Sequence, residues 1–92
     1  MVNNKLLKIR KKLDKLDDKF LALVKKRIAL VNEVLKTKKY KNQIVDKKRI
    51  RKILSNIKKK SKRNKIDVKV TKEIWTSMIR TFVKYEFKNF RK

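Results

Sequence analysis

The sequence predicts an all-α protein with three helices, a long first, a short second and a medium third, which assembles as a homodimer. The 92 residues include neither glycine nor proline, so the tight turns that strand-rich folds require are scarce. Apolar residues recur at intervals of three and four over long stretches, which is typical of amphipathic helices. A chain of this length is predicted to form one domain at most, over residues 1–92.

The first helix is predicted from a heptad-like apolar stripe. The stripe consists of Leu6, Ile9, Leu13, Leu16, Phe20, Leu23, Leu30 and Val34. Because no helix breaker precedes Lys38, one helix is expected from about Asn4 to Lys38, roughly 50 Å long. A compact domain of this size has a radius of gyration near ~13 Å, so one chain cannot cover such a helix. We therefore expect a second chain along it, and hence a dimer.

The second helix follows a polar joint at residues 39–43. Asp46 stands at an N-cap position ahead of apolar residues spaced i, i+3, i+4 and i+7. Those residues are Ile50, Ile53, Leu54 and Ile57. The helix is predicted to run from Asp46 to about Lys60.

The third helix is predicted after a basic, polar link at residues 58–65, which contains Ser61 and Asn64. Asp67 can cap this helix, which is expected to continue to about Phe90. Apolar residues are most frequent in this last segment.

The composition excludes several classes of site. There is no cysteine and no histidine, so disulfides, thiolate zinc sites and the commonest general base are ruled out, and no metal site is expected. No apolar run approaches the roughly 18 residues of a membrane span. The N-terminal segment has no signal-peptide pattern, so a cytoplasmic protein without membrane contact is expected.

The charge is strongly positive. The net charge of +24 comes from 32 basic and 8 acidic residues, a balance that suggests nucleic acid or an anionic surface as partner. The basic residues are 25 lysines and only 7 arginines, whereas base-reading interfaces favour arginine. An AT-rich genome, which favours lysine at solvent-exposed positions, explains the positive charge equally well. A basic nucleic-acid-binding helical protein, motivated by the run at residues 58–63, stays an alternative, as does a helical dimer without activity.

Two cations interrupt the first apolar stripe. Arg27 lies between Leu23 and Leu30, and Lys38 lies beyond Val34. The two cations are eleven positions apart, which amounts to three turns plus about 20°, so both are expected on the same face of the helix. A buried cation must be paired or must serve a ligand. The alternatives are that these cations snorkel, or that they form structural bridges with Glu33 and Glu86.

Three further charged residues lie beside apolar positions. Glu86 is on the apolar side of the third helix, four residues after Phe82. Arg49 is at the core edge of the second helix, three residues after Asp46. Several cations and one apolar-flanked acid, taken together, predict a pocket for a small polyanion.

The same residues form a recognisable pattern. It reads Leu6-Leu7-x-Ile9-Arg10, Leu13-Asp14-x-Leu16-Asp17, Leu23-Val24-x-x-Arg27, Lys38, Ile44-x-Asp46-x-x-Arg49, Ile74-Trp75-x-x-Met78-Ile79 and Tyr85-Glu86. This pattern resembles the AroQ-type, all-helical chorismate mutases over about residues 5–90. The resemblance implies three helices per protomer and an intertwined homodimer in which the two long first helices pair.

The resemblance also implies an activity, the rearrangement of chorismate to prephenate. That substrate is a small dianion and the reaction is intramolecular, so no cofactor is expected. By resemblance, Arg10 reaches into the partner's site and, with Arg27, holds the substrate carboxylates. Lys38 and Glu86 contact the ether oxygen, whose growing negative charge preorganised donors can stabilise.

By resemblance, Asp46 lies near the ring hydroxyl of the substrate, and Arg49 adds positive charge. Two residues predicted to line the pocket depart from the family pattern. Ile50 stands where a substrate-contacting glutamate is common, and Phe82 stands where a small hydroxyl residue can occur.

Glu86 stands where glutamine is frequent. A carboxyl group donates a hydrogen bond only when protonated, so we expect turnover to rise as the pH falls from neutral.

The isochorismate pyruvate lyases are the nearest alternative, because they share the fold and can carry an apolar residue at the position of Ile50. The aromatic tail formed by Phe87 and Phe90 also keeps this alternative open.

Overall fold

The computed structural model describes residues 3–91. It contains three α-helices, α1 (Asn4–Thr37), α2 (Lys47–Arg63) and α3 (Val68–Asn89), and a single 3₁₀ turn at Lys41–Gln43 between the first two. Their lengths are 34, 17 and 22 residues. The predicted all-helical class and the long–short–medium order are therefore confirmed. The first helix ends within one residue of its predicted end.

The chain divides into two compact units, one that extends to Glu33 and one that begins at Val34. In the first unit the apolar stripe of α1 is exposed to solvent in the single chain. The side chains of Leu13, Leu16, Phe20 and Leu23 each expose more than half of their surface. A contiguous apolar surface of this kind marks an interaction site. The organisation of residues 1–92 as one domain stays a prediction.

The core of the second unit joins three parts of the chain. Leu35 from the last turns of α1, Ile44 from the α1–α2 connection and Phe90 from the C-cap of α3 are buried together, and Val83 packs against them. Ile44 is the most deeply buried of the set, with 2% of its surface exposed. This cluster fixes the end of α1 beside the end of α3.

Both predicted N-caps are confirmed. The Asp46 carboxylate accepts a hydrogen bond from the backbone N–H of Arg49 at 2.9 Å, and the Asp67 carboxylate accepts one from Lys69 at 2.8 Å. Each aspartate satisfies a backbone donor that has no partner inside its helix. The starts of α2 and α3 therefore follow from two residues that the sequence alone identifies.

The predicted end of α2 was wrong, and so was the placement of Ser61 in a polar link. The helix continues to Arg63, and Ser61 is buried with 3% of its surface exposed. Its hydroxyl donates to the carbonyl of Ile57 at 2.6 Å and lies 2.8 Å from the hydroxyl of Thr71 on α3. A serine among lysines has the composition of a link, but its hydroxyl is hydrogen-bonded where α2 packs on α3.

The turn between α2 and α3 is made without glycine. Lys65 has φ 57°, in the left-handed region, and its N–H donates to the carbonyl of Lys62 at 3.2 Å. The N–H of Ile66 donates to the carbonyl of Ser61 at 2.8 Å, which completes a Schellman motif. A side chain at this position costs about 1 kcal/mol, because its Cβ crowds the following carbonyl oxygen.

No helix within residues 3–91 is long and apolar enough to cross a membrane.

Replacing Lys65 by glycine is expected to raise the free energy of unfolding by about 0.5–1 kcal/mol, because glycine adopts positive φ without this steric cost. Urea denaturation followed by circular dichroism, at one fixed protein concentration, measures the change. The matched control is Lys59→Gly, an exposed position inside α2, where glycine is expected to lower stability by about 1 kcal/mol. Equal destabilisation by both glycines would contradict the role assigned to the left-handed residue.

Candidate active site

An ion pair between Lys38 and Glu86 forms the centre of the candidate site. The Lys38 ammonium lies 3.0 Å from Oε1 of Glu86, and the two side chains expose only 15% and 11% of their surface. The same ammonium donates to the backbone carbonyl of Ile44 at 3.3 Å. Lys38 thus contacts both the connection and the last helix.

The local fold explains this meeting. Lys38 follows the last residue of α1, and its backbone N–H still donates to the carbonyl of Leu35 at 3.2 Å. Glu86 lies in the last turn of α3, four residues before Phe90. Since Leu35 and Phe90 share one apolar cluster, the two charged side chains are brought side by side at its edge.

The electrostatics of the pair follow from its burial. Two charges withdrawn from water lose hydration, and their mutual attraction in a less polar environment offsets that loss only while they stay together. Removing one partner leaves the other charge buried and uncompensated. The pair therefore fixes the position of an ammonium group, which is what a preorganised donor requires.

Asp46 and Arg49 lie at the start of α2, a few residues after Lys38 in the sequence. Both side chains are exposed, and the Asp46 carboxylate is engaged by the backbone N–H of Arg49. Lys38 and Asp46 line one open groove of about 610 Å³. The other residues of this groove are Thr37, Gln43, Val45 and Lys47. Two of the predicted site residues therefore share a concave surface.

The two predicted pocket-lining residues lie on different helices of the second unit. Ile50 is half-buried in the first turn of α2. Phe82 is half-buried on α3, one turn before Glu86, and its ring meets that of Tyr85 edge to face with centroids 6.2 Å apart. The aromatic contact gives Phe82 a packing role on α3.

Arg10 and Arg27 lie on α1 within the first compact unit. Arg10 is exposed, and Arg27 is half-buried although most of its neighbours on α1 are exposed. Their contribution to a substrate site stays a prediction.

Gln43 also lines this groove, although the sequence did not single it out. Its side-chain oxygen accepts hydrogen bonds from the backbone N–H groups of Lys39 at 2.6 Å and Tyr40 at 3.0 Å. The sequence assigned this residue to a polar joint, and an amide in a polar segment carries no distinguishing signal.

The comparison with known families decides the assignment. The family model described as chorismate mutase type II matches residues 9–87 of the chain. The chain belongs to this family. The match includes every residue predicted for the site, from Arg10 to Glu86. No curated protein and no solved structure gives a match.

Membership of the family makes this enzyme an isomerase of the chorismate mutase type, which converts chorismate to prephenate. The reaction belongs to the shikimate pathway and leads towards aromatic amino acids. The resemblance in the sequence is thereby confirmed. Of the predicted site, the described structure joins Lys38 directly to Glu86 and places Lys38 and Asp46 on one groove.

Lys38→Met is expected to lower the free energy of unfolding by about 3 kcal/mol near pH 8, because it strands the Glu86 carboxylate without a partner. Adding Glu86→Gln to that variant is expected to recover part of the loss, since no buried charge remains. Urea titrations at one fixed protein concentration measure both changes. A double variant less stable than Lys38→Met alone would show that the two side chains are not coupled in this way.

Proposed function

We propose that the enzyme rearranges chorismate by holding it in a compact reactive conformer and by stabilising negative charge on its ether oxygen. The observation that carries this proposal is the Lys38–Glu86 pair, in which an ammonium is held 3.0 Å from a carboxyl group at a largely buried position. In the rearrangement one C–O bond breaks and one C–C bond forms within a single molecule. The protein therefore needs neither a nucleophile nor a base, which suits a chain without histidine or cysteine.

Lys38 acts as the main donor to the ether oxygen in this proposal. Charge builds up on that oxygen as the C–O bond lengthens, and a fixed ammonium stabilises the transition state more than the ground state. The contacts to Glu86 and to the Ile44 carbonyl hold the ammonium before substrate arrives. Little reorganisation is then required during the reaction.

Glu86 is the second donor, when it carries a proton. As a carboxylate it only accepts hydrogen bonds and would repel the ether oxygen, whereas as a carboxylic acid it donates. We therefore expect turnover to rise as the pH falls.

The dimer is a further part of the proposal. The exposed apolar stripe on α1 supports it, because a second α1 can cover that stripe along its length. In such an intertwined dimer Arg10 reaches the partner's site, and Arg27 with Arg10 holds the substrate carboxylates. Bidentate guanidinium groups suit carboxylate partners.

The remaining predicted residues shape the groove around the substrate. In this proposal Asp46 lies near the ring hydroxyl of the substrate, and Arg49 adds positive charge to the site. Ile50 and Phe82 line the pocket as apolar groups. A cytoplasmic location stays a prediction, and so does the expectation that no cofactor is involved.

The lyase alternative loses part of its support. Phe90, half of the aromatic tail, is buried in the apolar core with Leu35 and Ile44, so packing explains its aromatic side chain. The exposed Phe87 and the apolar Ile50 still fit either enzyme. Product identification separates prephenate from salicylate and pyruvate.

The first test is chorismate turnover with identification of the product. Wild type is expected to yield prephenate, and Lys38→Ala is expected to lower kcat by about 100- to 1,000-fold, the usual effect of removing a transition-state donor. Arg27→Ala is expected to act mainly through KM. Lys41→Ala, at an exposed position of the same connection, serves as control. Nucleic-acid binding at physiological salt without chorismate turnover would overturn the proposal.

The second test is the pH dependence of kcat. Wild-type kcat is expected to rise as the pH falls, because a carboxyl group donates a hydrogen bond only when it is protonated. Glu86→Gln donates at every pH and is expected to give a flat profile. Stopped assays in buffers of constant ionic strength provide the data. A wild-type profile as flat as that of the variant would remove Glu86 as a donor.

The third test is complementation between two inactive variants. In a mixed dimer of Arg10→Ala and Lys38→Ala chains, one site keeps both Lys38 and the partner's Arg10, while the other site loses both. After co-refolding at equal amounts, about a quarter of wild-type activity is expected from statistical pairing of the chains. Activity no higher than the average of the two separate variants would place Arg10 outside the partner's site.

A further inference from the structure

The connection between α1 and α2 carries two residues of the proposed site at its ends, Lys38 and Asp46. Backbone N–H groups beyond the C-terminal end of a helix have no place in its hydrogen-bond pattern, so they need other acceptors. The connection contains no glycine or proline that would restrict or shape it by itself. Its conformation depends instead on the 3₁₀ turn at Lys41–Gln43 and on the side chain of Gln43.

The Gln43 side chain closes this connection on itself. Its single amide oxygen accepts from the N–H groups of Lys39 at 2.6 Å and Tyr40 at 3.0 Å, the two residues directly after Lys38. A carbonyl oxygen offers two lone pairs, so both are engaged. The backbone on the far side of the connection is thus held to the backbone that follows α1.

The same closure reaches the Lys38 ammonium from its other end. The Lys38 Nζ donates to the carbonyl of Ile44, the residue after Gln43, and Ile44 is anchored in the core with only 2% of its surface exposed. The backbone N–H of Lys38 donates to the carbonyl of Leu35, and the N–H of the next residue, Lys39, donates to the Gln43 side chain. Gln43 thus holds the backbone just after Lys38 and directly precedes Ile44, whose carbonyl binds the Lys38 ammonium.

We propose that Gln43 is a positioning residue that fixes the Lys38 ammonium against Glu86 and towards the groove. The inference rests on the proposed function for its kinetic consequence, since Lys38 is there the donor to the ether oxygen. Without the Gln43 amide, the N–H groups of Lys39 and Tyr40 bond to water. The connection then samples other conformations, and the four-carbon side chain of Lys38 is no longer restrained from both ends.

The amide group of Gln43 also has a defined orientation. Because two N–H donors face its oxygen, a flipped amide would set its NH₂ against them, so the nitrogen must face away from them. Gln43 lines the same groove as Lys38 and Asp46. A glutamate in its place keeps the acceptor for both N–H groups and adds a negative charge where a dianion is proposed to bind.

The comparison of alanine and glutamate at position 43 separates a positioning role of Gln43 from a purely structural one. Gln43→Ala is expected to lower kcat by about ten- to a hundred-fold, the usual effect of slight misplacement of a catalytic group, with KM changed little. Gln43→Glu is expected to restore kcat to within about threefold of wild type and to raise KM about fivefold or more, by repulsion of the dianion. The control is Asn42→Ala, a neighbouring exposed residue expected to leave both constants unchanged.

A second measurement does not depend on activity. Amide hydrogen exchange followed by NMR is expected to speed up at least about tenfold at Lys39 and Tyr40 in Gln43→Ala and to stay slow in Gln43→Glu, because only the glutamate keeps the acceptor. The loss of urea midpoint caused by Lys38→Met is expected to shrink by about half in the Gln43→Ala background, since an unrestrained ammonium pairs less well with Glu86.

The outcomes distinguish the two claims. If Lys38→Ala abolishes turnover while Gln43→Ala keeps wild-type kcat, or if Gln43→Glu loses as much kcat as Gln43→Ala, the positioning role is overturned and the proposed function stands. If wild type does not turn over chorismate, the proposed function fails. Hydrogen exchange and the Lys38→Met comparison then decide alone whether Gln43 restrains Lys38, and unchanged values in both overturn the inference.

Discussion

The end of α1, the α1–α2 connection and the last turn of α3 are all constrained by one pair of opposite charges that is largely withdrawn from water. Lys38 and Glu86 stay in contact, because separating two opposite charges that are largely withdrawn from water loses their mutual attraction without restoring their hydration. The apolar cluster supports that contact from close by in the sequence, with Leu35 three residues before the lysine and Phe90 four residues after the glutamate. Packing and electrostatics therefore act on the same short segments.

A buried ion pair contributes little net stability compared with apolar side chains of similar volume. The buried apolar cluster of the second unit consists of Leu35, Ile44 and Phe90 among the described residues. With so small a core, leucine or methionine in place of the pair is the more obvious way to gain stability. The charged pair makes sense when its geometry matters more than its free energy. A donor fixed before the substrate binds acts without rearrangement during the reaction, and this is where binding energy is converted into rate.

Sequence reasoning recovered what depends on local signals. The spacing of apolar residues gave three helices, and Asp46 and Asp67 gave two helix starts, because capping chemistry is local. Charges inside apolar stripes pointed to Lys38 and Glu86, and a bridge to Glu86 was one of the alternatives considered for the cations of α1. The end of α2 was predicted too early because Lys65 adopts a left-handed conformation that is usually marked by glycine, and because the buried Ser61 has the composition of a link residue.

Gln43 was missed because its role lies in a side-chain contact to backbone groups. In our proposal the site that contains Arg10 and Arg27 is formed by two chains. The sequence of one chain can therefore suggest these arginines by their residue type, but it cannot show where in the dimer they lie.

The Lys38–Glu86 contact joins positions that are 48 residues apart. Contacts of such long range form late, because the entropy of closing the intervening chain is lost before the contact contributes. A ribosome-bound chain that stops short of Glu86 can already contain α1 and α2, yet it lacks the carboxyl group that holds the ammonium. In our proposal the ammonium is therefore positioned only after α3 has been made and has packed. Chorismate turnover is then expected to report on chains in which this long-range contact is complete.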